Sequence, residues 1–225
     1  MSFTTRQLSA SASEQEIESV VKCLELAFES DQFTLTCIGA HIGADGRFEF
    51  DREILQQFHR SLVVAGLLGG EVYLAESPMK EVLGAAIWFG PGRELFDSED
   101  QHDAALVPLF QKFSPELSKW WNENFLPKYK EFTDTSFGEG SKIQSWHLQW
   151  IGTAPDHRKK GVATSLVNIV KDKRGDNKMC LETENPINLH WYEQVGFQIY
   201  GKTEFVGLHH GTGFPMWAML SVSKH

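Results

Sequence analysis

Thr153-Ala154-Pro155-Asp156-His157-Arg158-Lys159-Lys160-Gly161-Val162-Ala163 joins a strand pattern to an amphipathic helix. Upstream, residues 146–153 (WHLQWIGT) have the apolar content and length of a largely buried strand. Downstream, Val162, Ala163, Leu166, Val167, Ile169 and Val170 recur at helical spacing. A helix start leaves N–H groups without partners inside the helix, and its dipole favours negative charge there. Arg158, Lys159 and Lys160 stand beside that start, Gly161 lets the backbone approach a ligand closely, and Ala163 keeps the first turn slim. Such a turn is built to hold an anion, and the implied ligand carries a pyrophosphate. For so short a motif the plainer alternative is a solvated basic turn, and the residues that follow decide between the two.

Residues 179–183 (MCLET) read as a strand, after which Asn185 and Pro186 supply an N-cap and first position for a short helix. Gly196 is a good helix stop, and strand character resumes over residues 197–201. The combination of Arg158, Gly161 and Ala163 with Asn188, Tyr192, Gly196 and Phe197 resembles the GNAT superfamily of acyl-coenzyme A-dependent N-acetyltransferases. The segment from Leu181, Glu182 and Thr183 through Asn188, Tyr192, Glu193, Gly196 and Phe197 is similar to the group around puromycin N-acetyltransferase. The likeness is strong over roughly residues 145–205 and weak elsewhere. It implies a fold and a cofactor, acetyl-coenzyme A, and says almost nothing of the acetyl acceptor.

With 225 residues, 41% hydrophobic and 12% aromatic, the chain can bury one full core or two small ones. No repeat, low-complexity block or long linker divides it, so one domain over residues 1–225 is expected, with residues 93–143 as an insertion in the family plan. No apolar run with basic flanks opens the chain, and no segment approaches the ~20 apolar residues of a membrane span. Cys23, Cys37 and Cys180 are odd in number, without ligand spacing, and read as buried reduced thiols. These features favour a cytoplasmic protein with no membrane partner. A net charge of −9 argues against general nucleic-acid affinity. Basic residues nevertheless collect at 158–160 and 171–174, read here as surrounding the anion site.

Residues 3–8 form a weak edge-strand pattern. Ser13 and Glu16 make a capping box before a stripe of Ile17, Val20, Val21, Leu24, Ala27 and Phe28. Residues 31–50 read as irregular. Asp51 then caps a helix that turns Ile54, Leu55, Phe58 and Leu62 inward. Runs at 71–75 and 82–89 form a hairpin, and 93–143 looks helical over 104–112 and 115–131. The many Phe and Trp residues there either seal the insertion onto the sheet or line an acceptor pocket. Residues 214–220 supply the last strand. The expected architecture is α/β: a mixed sheet of about seven strands flanked by about four helices plus the helical insertion.

The resemblance assigns roles. The loop and helix start at Arg158, Lys159, Lys160, Gly161, Val162, Ala163 and Thr164 would anchor the cofactor, mostly through main-chain N–H groups. GNAT proteins lay the pantetheine arm along the strand that here holds Ile151, Gly152 and Thr153, and an N–H near Ile151 would stabilise an oxyanion. Gly152 reads as either a bulge or a point of close packing. Asn188 would hydrogen-bond the arm, and Tyr192, four residues on along the same helix face, would serve the leaving thiolate. For the base, Glu182 stands ahead of His147, whose ordinary pKa suits proton abstraction, and a water chain is a third possibility. His209 and His210 read as part of a turn, and no histidine has the spacing and company of a metal site. The leading function is acetyl transfer from acetyl-coenzyme A to the primary amine of a small molecule. A non-catalytic acyl-coenzyme A sensor and a peptide or protein N-acetyltransferase stay open beside it.

Overall fold

The computed structural model describes residues 2–221; Met1 and residues 222–225, the ends of the span read as one domain, lie outside the described residues. Strand β1 (Thr4–Gln7) lies at the sheet edge and leads to helix α1 (Glu14–Phe28). The expected capping box opens α1: Ser13 Oγ accepts from the Glu16 N–H and the Glu16 carboxylate accepts from the Ser13 N–H, worth ~1 kcal/mol. The stretch read as irregular contains a short helix α2 (Gln32–Cys37) and a two-stranded hairpin of β2 (His41–Ile42) and β3 (Phe48–Glu49). Asp31 starts α2 by accepting from the Thr34 N–H, and the helix is too brief to display a period. Helix α3 (Arg52–Gly69) begins at the Asp51 cap, and β4 (Glu71–Glu76) and β5 (Val82–Phe89) form the hairpin.

Two bent helical rods fill the insertion. The first runs α4 (Glu99–Gln101), a widened π turn at His102–Leu106, and α5 (Val107–Phe110). The second runs α6 (Pro115–Trp120), a π turn at Trp121–Phe125, and α7 (Leu126–Phe137). The first starts earlier than the 104–112 expected and stops at Phe110, and the second starts at Pro115 as expected but runs past 131 to Phe137. Each π turn lies just ahead of a proline, Pro108 or Pro127. A proline ring crowds the carbonyl four residues back and donates no N–H, and a wider turn relieves both problems without ending the helix. The remaining elements are β6 (Trp146–Thr153), α8 (Val162–Lys173), β7 (Met179–Thr183), α9 (Pro186–Gln194), β8 (Gln198–Phe205) and β9 (Phe214–Ser221).

The sheet has seven strands in the order β1-β4-β5-β6-β7-β9-β8, all antiparallel except the β6–β7 pair. Alternation along each strand divides the core in two. Ala85, Ile87 and Phe89 of β5 pack with α1, α3 and the insertion, whereas Leu83, Ala86 and Trp88 pack with Val162, Leu166, Val167 and Val170 of α8. Cys23, Cys37 and Cys180 are free and buried. No helix among the described residues is long and apolar enough to cross a membrane.

Two departures from regularity shape β6. It pairs with β7 only over Trp146–Leu148 against Met179–Leu181, and beyond Leu148 the two strands separate. On the other side, Trp88 pairs with Leu148 and Ile87 with Trp150, so Gln149 is an extra residue, a β-bulge. The bulge reverses which way the backbone points. The Trp146 N–H donates toward β7, to Lys178 O, but the Ala154 N–H donates toward β5, to Leu83 O. By alternation, the N–H groups of Ile151 and Thr153 face the opened side. Gly152 is therefore not the bulge. A Cβ there would lie 2.8 Å from Phe28, 2.9 Å from Leu24 and 3.0 Å from Ala27, so the glycine exists to let α1 press against the sheet.

His59 gives this core a pH dependence. It is wholly buried beside Phe28, Phe58 and Trp150, with Nδ1 donating to Leu55 O and Nε2 without a partner. Burial pulls its pKa from 6.5 down to about 4, against the pull of the Leu55 carbonyl. The unfolded chain takes the proton first, so this contribution is full above pH ~6.5 and falls away toward pH ~4, by about 3 kcal/mol in all. Urea melts at pH 7 and pH 4.5 are expected to show a loss of stability that His59→Phe largely removes. An equal loss in the variant would contradict the assignment.

Candidate active site

A cavity of about 830 Å³ lies where β6 and β7 part, between the sheet, α1, α2 and the insertion. The two residues read as rival bases meet beside it. His147 Nε2 lies 2.8 Å from Glu182 Oε2, and Tyr129 of α7 donates to the same oxygen at 3.0 Å. In parallel register His147 faces Cys180, which sets its side chain on the same side of the sheet as Glu182. Glu182 lines the cavity and its Oε1 has no partner; His147 does not line it. Burial pulls the His147 pKa down, favouring the neutral ring whose Nε2–H serves Glu182. Burial opposes ionisation of Glu182, but the interactions with His147, Lys142 and Tyr129 outweigh it and hold its pKa below the ordinary carboxylate value.

On the far side of the cleft, Asn185 caps α9 through its side chain to the Ile187 N–H, with Pro186 in the first turn. Asn188 and Tyr192, one turn apart, both line the cavity. Burial, and next the charge of Glu184, hold the Tyr192 pKa above its ordinary value, so its hydroxyl keeps its proton and can donate it in a hydrogen bond. Trp191 Nε1 donates to Thr164 Oγ1 at 3.1 Å and couples α9 to the first turn of α8.

That first turn is open. Gly161 is the N-cap of α8 at φ 82°, no side chain caps the helix, and the N–H groups of Val162, Ala163 and Thr164 are free to serve an outside acceptor. Lys159 is also left-handed, at φ 59°. The cationic side chains are less available than the sequence implied. Arg158 donates to Ala27 O at 2.8 Å and Thr153 O at 3.4 Å, tying the loop to the end of α1, and Lys160 reaches Asp156 O at 2.6 Å. Residues 171–174 do not surround the site at all. They lie at the opposite end of α8, where Lys171 bonds Val195 O and Arg174 bonds Ser221 O. The separation is ~18 Å for a helix of this length.

An open helix start, two left-handed residues and an unpaired strand edge leading to Tyr192 make a track of main-chain donors that fits a diphosphate followed by an amide-bearing arm. The cavity also contains acidic residues that sequence reasoning passed over, Asp31 and Glu184. Glu184 was within reach, since it is two residues from Glu182 on an extended segment and so shares its face. Asp31 had no such signal. Of the insertion's aromatic residues, Phe96, Phe110, Trp121, Phe125 and Tyr129 line the cavity, while Phe113 and Trp120 are buried sealing contacts. Among the described residues no three His, Cys, Asp or Glu side chains converge as a metal site would require.

A family model, the acetyltransferase (GNAT) domain, matches residues 130–199, which hold β6, the open helix start, β7 and α9. The fold is that of the GNAT superfamily. Solved structures agree on the GNAT fold across the whole length. A Corynebacterium glutamicum protein described as histone acetyltransferase HPA2 and related acetyltransferase is 21% identical, at TM-score 0.65 over 100% of this chain and 99% of that one. Drosophila melanogaster polyamine N-acetyltransferase is 13% identical, at TM-score 0.61 over 99% and 100%. Arylalkylamine N-acetyltransferase 2 of Aedes aegypti is 15% identical, at TM-score 0.59 over 99% and 99%. GNAT members use acetyl-coenzyme A, which suits the donor track described above.

Proposed function

We propose that this GNAT protein works as one domain, with residues 93–143 as its insertion, and transfers an acetyl group from acetyl-coenzyme A to the primary amine of a small molecule by direct attack. The observation that carries this is Glu182: a buried carboxylate oriented by His147 and Tyr129, with Oε1 left over, on a cavity that reaches the open edge of β6. Two fold neighbours named above act on amines, a polyamine and arylalkylamines by their descriptions.

The bound thioester supplies an electrophilic carbonyl and a thiolate leaving group. The main-chain N–H groups of residues 162–164, with the loop from Arg158 to Gly161, hold the diphosphate. Ile151 and Thr153 pair with the arm as a neighbouring strand would, and the Ile151 N–H stabilises the negative charge that grows on the carbonyl oxygen. Asn188 hydrogen-bonds the arm. Glu182 Oε1 removes a proton from the attacking nitrogen, which becomes far more acidic as its bond to carbon forms. His147 and Tyr129 act through Glu182 as positioning residues. Tyr192 donates a hydrogen bond to the departing sulfur; full proton transfer from so weak an acid would be uphill by at least ~2 kcal/mol, and none is needed. The insertion roofs the cavity, which favours a small acceptor over a peptide lying across the sheet.

A thiol-release screen tests this, with acetyl-coenzyme A and a panel of polyamines, aminoglycosides, aminonucleosides, amino acids and short peptides. Acceptor-dependent release by a small amine is expected, and Tyr192→Phe should lower kcat at least ~10-fold while leaving coenzyme A affinity within about twofold. Tight cofactor binding with no acceptor-dependent release would identify a sensor instead.

A further inference from the structure

We propose, building on the acetyl-transfer function above, that the acceptor carries a second nitrogen that stays protonated, seated between Asp31 and Glu184 while the reacting nitrogen faces Glu182. Asp31 caps α2 with one oxygen, which accepts from Thr34 N and Oγ at 2.8 and 2.9 Å. No salt bridge joins Asp31 or Glu184 to a basic side chain among the described residues. The lysines on the same cavity are engaged elsewhere: Lys130 pairs with Asp134 at 2.5 Å, and Lys142 sits 4.7 Å over the Tyr129 ring, on the Glu182 side. The cavity thus holds more carboxylates than cations.

One orphaned polar atom points to a ligand of this kind: Glu182, its side chain 7% exposed, lines the cavity with an acceptor oxygen that has no partner. Unpartnered buried polar groups are costly unless something arrives to satisfy them. Burial raises the pKa values of both Asp31 and Glu184, and the charge of Asp31 raises Glu184 further, as expected for acids awaiting a counter-ion.

The nature of acetyl transfer then selects the ligand. A nitrogen attacks only when neutral, so a monoamine brings no charge to the acidic cluster at the moment of reaction. A diamine does: one nitrogen reacts and the other remains an ammonium ion. Aromatic walls at Phe28, Phe33 and Trp150 suit such a cation and its apolar spacer. Glu182 and Glu184, two residues apart on extended backbone, stand ~7 Å apart. That separation matches 1,4-diaminobutane and 1,5-diaminopentane.

The test compares these two diamines with butylamine and pentylamine on the full chain, by thiol release at saturating acetyl-coenzyme A. The diamines are expected to exceed the matched monoamines at least ~10-fold in kcat/KM. Asp31→Asn and Glu184→Gln should each shrink that ratio at least ~5-fold, chiefly through the diamine KM; asparagine still caps α2, so the first variant keeps its fold. Monoamines used as well as diamines, or a ratio that neither variant moves, would overturn the diamine assignment and leave acetyl transfer standing. Failure of every amine despite coenzyme A binding in calorimetry would overturn acetyl transfer itself.

Discussion

Glu182→Gln is expected to lower kcat by ~100-fold or more while coenzyme A binds as before. The substitution preserves shape and can still accept from Tyr129 and His147, but it removes the basic oxygen that faces the cavity. Proton transfer by a positioned side chain is worth ~100- to 10,000-fold. The coenzyme A track proposed above would run along β6 and α8 and reach Glu182 only at its end, so calorimetry with coenzyme A should change less than about twofold. His147→Phe serves as the companion. His147 holds the Glu182 pKa down, so its loss should move the acidic limb of the kcat–pH profile upward, an effect a merely structural residue would not produce. If Glu182→Gln retains more than a tenth of native kcat, the proton leaves by another route.

Gly161→Val is expected to weaken coenzyme A binding by ~100-fold or more. A Cβ at Gly161 meets nothing within 4 Å, so the variant should fold, and a melting temperature within a few degrees of native would confirm it. The difficulty is φ 82°, which a β-branched residue cannot adopt without strain. Relief of that strain would turn the loop from Lys159 through Ala163 and with it the amides proposed to hold the diphosphate. A donor array for a doubly charged group depends on the direction of each N–H, and two or three lost charge-assisted hydrogen bonds account for the magnitude. Unchanged affinity would mean that the diphosphate binds elsewhere.

Several parts of the fold set by immediate neighbours were legible. Ser13 with Glu16, Asp51, and Asn185 with Pro186 start their helices as their chemistry dictates, because a cap involves residues only two or three apart. The helix start at Gly161 and the largely buried strand at 146–153 were readable for the same reason. The pairing of His147 with Glu182 was not, since it depends on the register of two strands joined by a long crossover. The two appeared as competitors because a linear sequence does not say which side chains touch. Asp31 was hidden similarly: a six-residue helix gives no period, and its place on the cavity is set by packing against the insertion. The last turn of α7 was missed although Gly138, at φ 90°, marks its end with the usual helix-stopping residue. The π turns before Pro108 and Pro127 had no local signal at all, since a proline within a helix more often breaks it.

The extra residue at Gln149 separates two demands that a regular strand could not meet together. Ahead of it, β6 is a member of the sheet on both sides; past it, the same strand stays in step with β5 while offering its other flank to a visitor. A chain shortened by that single residue could still weave the sheet, but the amides of Ile151 and Thr153 would exchange places with those of Trp150 and Gly152. The proposed binding edge would then be lost with every named side chain still present, through nothing more than a half-step error in phase.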